Sequence, residues 1–468
     1  MPDTNDGATK IWVLALTSAG SLMAVLDAMV VATALNTMRT ELPASIEALE
    51  WTMNAYNLSF AVLLLTGAAL GDRFGRRRVF IAGLVLFVAA SAACALAGSV
   101  GWLIGARAAQ GAGAALIMPI AMALLSATFP PQERAKALGI FSGVTGLALI
   151  AGPIVGGAIA QGAAWQWIFW INIPIGLIVI PLAYRRVPES FGPGTAVDGA
   201  GVVLVTGAAL GLVFGLMQGN VAGWGSREVL AALGAGLVLA AGFVVWEMRA
   251  RAPMVPMRLF SVRAFSSGVG ACFLYSSGMY GVLFFLPQFL QTAQGYGPLG
   301  AGLRLLPWTA TLFVVAPVAG GLVNRIGERS LVVAGLVLQA IGMAWIAAIA
   351  APDLAFIELV APLIITGAGV SMAMPAAQNA VLNSVARPEV GKASGVFNMF
   401  RFLGGVTGIA IAVAVFMAVG GFGSAKAFTT GFVAATGVSA ILSLLGAVAG
   451  LWQPARLHVA VERAAAEV

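Results

Sequence analysis

Long apolar runs alternate with short polar segments along almost the whole chain. A helix needs about 20 consecutive apolar residues to cross a bilayer. Runs of that length predict fourteen spans, near residues 12–36, 52–71, 79–98, 102–126, 138–160, 166–184, 199–217, 229–247, 265–292, 301–322, 331–350, 357–380, 395–418 and 428–451. Two linkers rich in Pro, Gly and charge interrupt the series, Arg185 to Val197 and Glu247 to Arg263, as domain junctions do.

An internal repeat orders these runs. GAGAALIMP (Gly111 to Pro119) recurs as GAGVSMAMP (Gly367 to Pro375), 256 residues later. Glu133, Lys136, Gly139 and Phe141 recur as Glu389, Lys392, Gly395 and Phe397 at the same offset. GDRFGRRRVFIAG (Gly71 to Gly83) recurs as VNRIGERSLVVAG (Val323 to Gly335), 252 residues later. Two parallel six-span copies keep one orientation only if the segment between them crosses the membrane an even number of times. The runs Gly199 to Met217 and Val229 to Trp246 meet that demand. The expected fold is therefore an all-α polytopic membrane protein with an N-terminal six-helix half (1–187), two inserted helices with cytoplasmic linkers (188–263), and a C-terminal six-helix half with a short tail (264–468).

Composition agrees: 60% of residues are hydrophobic, 9% are charged, and the mean hydropathy is +0.97. No room is left for a large soluble domain, so chemistry must sit between helices. The net charge of +7 could suggest nucleic acid, but the basic residues sort by loop. Arg73, Arg76, Arg77, Arg78, Arg134, Lys136, Arg185, Arg186, Arg249, Arg251, Arg258, Arg263, Arg325, Arg329, Arg387, Lys392, Arg456 and Arg463 fall in alternate loops or the tail. The intervening loops hold only Arg39, Arg227 and Lys426. The positive-inside rule then puts both termini in the cytoplasm. Cys94 and Cys272 lie inside spans at no metal-ligand spacing, and the single histidine, His458, is in the tail. The first run is too long for a signal peptide, so no cleavage is expected. The nearest string to a nucleotide-binding loop, ARPEVGKA (Ala386 to Ala393), lacks the first glycine and the Ser/Thr. No ATP and no other cofactor is expected.

The first span carries the sharpest chemical signal, a single carboxylate, Asp27, inside the run Ile11 to Met38. A charge at mid-span costs about 3 kcal/mol even on lenient insertion scales. Low dielectric favours the neutral acid, so the position suits a site that takes up and releases a proton, the alternative being a carboxylate bonded to a neighbour for packing.

Several strings resemble one family. GAALGDRFGRRR (Gly67 to Arg78) resembles the loop between spans 2 and 3 of the major facilitator superfamily. RAAQGAGAA (Arg107 to Ala115) resembles its span-4 signature, and GLALIAGPIVGG (Gly146 to Gly157) the span-5 signature of its antiporter branches. LDAMVVATAL around Asp27, WTMNAY (Trp51 to Tyr56), WQWIFWINIPIG (Trp165 to Gly176), AGLRLLP (Ala301 to Pro307) and KASGVFNMFRFLGG (Lys392 to Gly405) are similar to the fourteen-spanner drug:proton antiporter branch. Met29 to Val31 and Phe402 depart from that pattern, where the branch often shows a threonine and a glutamine. The resemblance covers nearly the whole chain.

It implies an arginine inside the bundle, Arg107, as partner and tuner of Asp27. It implies a cytoplasmic latch made of Gly71, Asp72, Arg73, Gly75 and Arg76, with Asp72 able to face the N-terminus of span 13 near Ser394. In the second copy Asn324 replaces Asp72 and Glu328 replaces Arg76, so the latch is one-sided. Gly152, Pro153, Gly156 and Gly157 form a hinge and close-packing face in span 5. Asn54, Tyr56, Tyr275, Tyr280 and Arg401 are candidates for a substrate cavity, Arg401 being equally placed to snorkel. Arg304 is expected to snorkel, Trp165, Trp167 and Trp170 to sit in an interfacial belt, and several methionines to pack. The expected function is a proton-coupled antiporter of the bacterial plasma membrane, not an enzyme. It exports apolar or amphipathic molecules by alternating access, and its partners are the lipid bilayer, the substrate and protons, with a monomer expected. The alternatives are an uptake symporter of the same fold and a non-transporting membrane regulatory protein. A channel or a lipid-acting enzyme is disfavoured, because no polar ring and no Ser, His, Asp or Cys cluster appears.

Overall fold

The computed structural model describes residues 4–42, 45–192, 198–386 and 389–454, and among them every regular element is a helix. Fourteen helices are long and apolar enough to cross a membrane: span 1 (Gly7–Glu41), 2 (Ala48–Phe74), 3 (Arg76–Ala95), 4 (Val100–Thr128), 5 (Lys136–Gly162), 6 (Trp167–Arg186), 7 (Gly199–Gly219), 8 (Arg227–Arg249), 9 (Arg263–Thr292), 10 (Pro298–Ala319), 11 (Glu328–Ile349), 12 (Phe356–Asn383), 13 (Val390–Val419) and 14 (Ala425–Leu451). The protein is a multi-pass membrane protein of the expected all-α class. His458, Arg387, Arg456 and Arg463 lie outside the described residues.

Helix ends reach past the apolar runs that announce them. The helix of span 2 starts at Ile46, six residues before the expected start, because the Ser45 hydroxyl caps it by accepting from the Ala48 amide at 3.3 Å. Glu50 therefore lies inside the helix, fully buried, and not in the preceding loop. Span 3 stops at Ala95, where Leu96 closes the last turn. Spans 6 and 10 are broken by proline. Pro174 leaves the carbonyl of Trp170 without its helical donor, and the helix divides into Trp167–Trp170 and Asn172–Arg186. Pro307 acts likewise in span 10, whose helical pieces are Pro298–Arg304, Leu306–Thr309 and Thr311–Ile326, the last continuing beyond the apolar span. Trp165 is fully buried, edge-on to Phe169 at 6.2 Å, so it is core and not belt, whereas Trp167 is 57% exposed as a belt residue should be.

The chain packs as two compact units, Met1–Thr206 with Tyr296–Leu303, and Gly207–Gly295 with Arg304–Val468. In the first, Gly83 of span 3 and Gly113 of span 4 cross back to back. A Cβ on Gly113 would stand 2.8 Å from the Phe87 amide nitrogen, and one on Gly83 2.8 Å from the Leu116 Cβ. In the second, the repeat-related Gly335 and Gly369 make the same crossing, a Cβ on Gly335 falling 2.6 Å from the Gly369 carbonyl. Small residues at such crossings let helices approach where lipid offers no hydrophobic drive. The loops before spans 3 and 11 also repeat: Gly75 and Gly327 turn with φ of +104° and +81°, a conformation that costs glycine little. Span 7 places Gly207, Gly211, Gly215 and Gly219 at four-residue intervals. Gly211 lies on Ala232 and Gly236 of span 8, so the two inserted helices form a tight hairpin.

The glycine crossings should be sensitive to volume. Gly113→Val should destabilise the purified protein by about 1–3 kcal/mol of overpacking, read as a lower melting temperature. Gly105→Ala, whose added methyl meets nothing within 4 Å, should leave the curve unchanged. Equal curves would mean that the crossing is loose.

Candidate functional site

Asp27 and Arg107 form an ion pair that is almost wholly buried, their side chains each 1% exposed. Three neighbouring features bring them together. Gly111, one turn beyond Arg107, has no side chain because the Tyr56 carbonyl of span 2 occupies its place. This draws span 4 onto span 2, so that Arg107 Nε donates to the Thr52 carbonyl at 3.1 Å and the guanidinium lies 4.3 Å above the Tyr56 ring. Tyr56 in turn donates its hydroxyl to the Ala24 carbonyl of span 1 at 2.9 Å, three residues before Asp27. Gly152 and Gly156 of span 5 sit where a Cβ would overlap Met29 and Thr33, which clamps the same turn of span 1 from the other side.

The carboxylate is satisfied on both oxygens. Arg107 Nη1 donates to Oδ2, while Oδ1 accepts from Gln110 Nε2 at 2.8 Å and Asn172 Nδ2 at 2.9 Å. Both amides also donate to the Ser91 hydroxyl, at 2.7 and 2.9 Å, and Gln110 Oε1 accepts from Arg107 at 2.7 Å. Five spans, 1, 2, 3, 4 and 6, thus meet in one polar cluster in an apolar bundle. The carboxylate thereby ties spans 4 and 6 to span 1. Asn172 Oδ1 is buried with no hydrogen-bond partner.

Gln110, Asn172 and Ser91 were not expected from sequence. The signals for two of them were present: Gln110 follows Arg107 by three residues, hence lies on the same helix face, and Asn172 is a lone amide inside WINIPIG, at the break in span 6. Ser91 carried no signal, since a serine in a small-residue helix reads as packing.

The loop between spans 2 and 3 forms a second cluster. Asp72 Oδ1 accepts from Arg76 Nε at 2.9 Å and Nη2 at 2.8 Å. Gly71 packs against Ile120, and Arg73 is exposed with its guanidinium 5.3 Å from the Phe74 ring. A strap from the end of span 6, residues 188–192, is laced onto this loop. The Arg76 amide donates to the Ser190 carbonyl at 2.8 Å, the Arg77 amide to Glu189 Oε1 at 2.8 Å, and the Gly192 amide to the Asp72 carbonyl at 3.1 Å. Glu189 also faces the Arg77 and Arg78 guanidinium groups at 3.7 Å and rests on Gly75, where a Cβ would come within 2.8 Å of the carboxylate. Glu189 lay inside a linker and had no motif to mark it.

Pro153 stands within one continuous helix, and a Cβ on Gly302 would overlap its carbonyl. Gly157 lies under Pro298 and Leu299, so the first piece of span 10 packs on span 5 within the first unit. Asn54 is buried on span 2, donating from Nδ2 to Glu50 Oε1 at 3.0 Å, which makes Glu50 a second buried carboxylate of that unit. Tyr275, Tyr280 and Arg401 belong to the second unit, and Arg304 lies over the Phe356 ring at 5.1 Å. Among the described residues no group of three His, Cys, Asp or Glu could hold a metal ion.

The family model described as Major Facilitator Superfamily matches residues 17–409 and 270–467. The chain is 35% identical over 403 residues to the tetracenomycin C resistance and export protein of Streptomyces glaucescens, covering 84% of this chain and 73% of that one. It is 33% identical over 405 residues to the methylenomycin A resistance protein of Bacillus subtilis, covering 86% and 87%. Among solved structures, a POT family transporter in complex with a thioalcohol-conjugated peptide shares the fold, with a TM-score of 0.70 at 14% identity over 94% of this chain and 95% of that one.

Removing one partner of a buried pair strands the other charge, at a cost of about 3–5 kcal/mol. Arg107→Met should therefore lower the melting temperature sharply, and adding Asp27→Asn should recover most of the loss. Strictly additive losses in the double variant would mean that the two side chains are not coupled.

Proposed function

The chain belongs to the Major Facilitator Superfamily, and from that membership we propose that it is a proton-coupled antiporter exporting apolar or amphipathic small molecules across a bacterial plasma membrane. Antibiotic resistance and export proteins among its relatives support the direction of transport. The observation that carries the proton coupling is the buried Asp27, held by Arg107, Gln110 and Asn172.

A proton arriving at Asp27 abolishes the charge that these donors hold. The guanidinium is not stranded, because Gln110 Oε1, the Thr52 carbonyl and the Tyr56 ring already engage it. Protonation thus loosens spans 3, 4 and 6 from span 1 without leaving an unpaired cation in lipid. Close packing at Gly152 and Gly156 passes that change to span 5, where Pro153 supplies a missing backbone hydrogen bond as a hinge, with Gly157 beside it. Asp72, Arg76 and Arg73, on a loop shaped by Gly71 and Gly75, latch one end of the cycle. Substrate leaves in exchange for the proton, the two six-helix halves alternating access with both termini cytoplasmic. The proton gradient replaces any nucleotide or other cofactor.

The energetics suffice. One charge moving through 100 mV releases about 2.3 kcal/mol, which sustains roughly a fiftyfold gradient of a neutral substrate per proton.

The deciding assay uses inside-out vesicles energised to an acidic lumen and a panel of lipophilic cations, neutral aromatics and zwitterions. The native protein should release luminal protons when a transported compound is added, and Asp27→Asn should not. Equal responses would make Asp27 structural and move the coupling elsewhere.

A further inference from the structure

The second unit holds a cation that the proton cycle does not use. Arg401 lies eleven residues into the thirty-residue helix Val390–Val419, about 16 Å from its first residue. An arginine at that depth is expensive unless something offsets its charge. The charged residues of the helices packed against span 13 stand at helix ends instead: Arg263 opens span 9, Glu358 lies in the first turn of span 12, and Lys426 begins span 14. Glu389, just before span 13, is taken by Arg258. Among the described residues Arg401 thus has no carboxylate partner, and its Nε is buried without a hydrogen-bond acceptor.

Its surroundings are aromatic. The guanidinium sits 4.7 Å from the Phe402 ring, and Tyr280 of span 9 packs on Gly405, one helical turn beyond Arg401. Span 9 is drawn against span 13 by glycines: Ser277 donates to the Gly404 carbonyl at 2.9 Å, and a Cβ on Gly405 would stand 3.0 Å from the Tyr280 ring. Phe273 faces Phe400 at 6.4 Å one turn away. A cation beside an aromatic ring, with a donor left unused, suits an anion carried on a flat apolar body.

We infer that Arg401 binds the anionic group, a carboxylate or ionised phenol, of an aromatic amphipathic substrate, with Tyr280 of span 9 one helical turn along. The inference deepens the export reading and rests on it for its biological role, yet binding itself needs no gradient. The test therefore measures equilibrium binding of 9-anthracenecarboxylate and of its neutral isostere 9-anthracenemethanol to the purified protein in detergent, by fluorescence. The native protein should favour the carboxylate. Arg401→Gln should weaken carboxylate binding about tenfold or more while leaving the alcohol unchanged, which also reports that the fold survives, and Arg401→Lys should retain most of the preference. A native protein that does not favour the carboxylate, or an Arg401→Gln variant that affects both probes alike or neither, would overturn the assignment. A loss of proton exchange with the binding preference intact would instead count against the antiport reading alone.

Discussion

A charge in the middle of a bilayer must be matched, and the first half of this protein is arranged around that requirement at Asp27. The match is made by a cation stacked on an aromatic ring and by two amides that share a serine, drawn from the four helices 2, 3, 4 and 6. None of these groups would be placed without the glycines that remove side chains where helices cross. The cluster therefore depends on packing as much as on charge, and packing around span 1 depends on the cluster in return. A carboxylate bonded on both oxygens cannot change its charge without its donors changing partners, which ties a chemical event to a mechanical one.

Sequence made the coarse plan legible because the membrane imposes it. Apolar runs of fixed length are the only solution to unsatisfied backbone groups in lipid, so the fourteen spans and the parallel repeat could be read from pattern alone. Asp27 stood out for the same reason. What pattern could not supply was polar residues too small or too neutral to look costly. Gln110, Ser91 and Asn172 cost little one by one, and their meeting is a property of helix crossings that no single run encodes. Glu50 was hidden by a capping serine that starts the helix before the apolar run does. Glu189 was hidden because a carboxylate in a charged linker is unremarkable until its arginines are known. Trp165 was misread because a tryptophan near a span end usually marks the interface, whereas this one is fully buried against Phe169.

The two repeats have kept their geometry and parted in chemistry. The crossings at Gly83 with Gly113 and at Gly335 with Gly369 are equivalent, but at the 256 offset Arg107 becomes Leu363 and Gln110 becomes Thr366, both buried. The ion pair's arginine and its amide neighbour in one copy thus correspond to a leucine and a threonine in the other. Duplication supplied a scaffold that tolerates either filling, and the second copy retains its own isolated cation, Arg401, at a position where the first has Thr145.

The strap from residue 188 to 192 has one further consequence. By bonding the end of span 6 to the loop between spans 2 and 3, it closes the first six helices into a mechanical circuit. Tension at Gly192 is therefore borne by the backbone of Asp72 and Arg76, the two residues of the ion pair in that loop, as well as by the last turn of span 6.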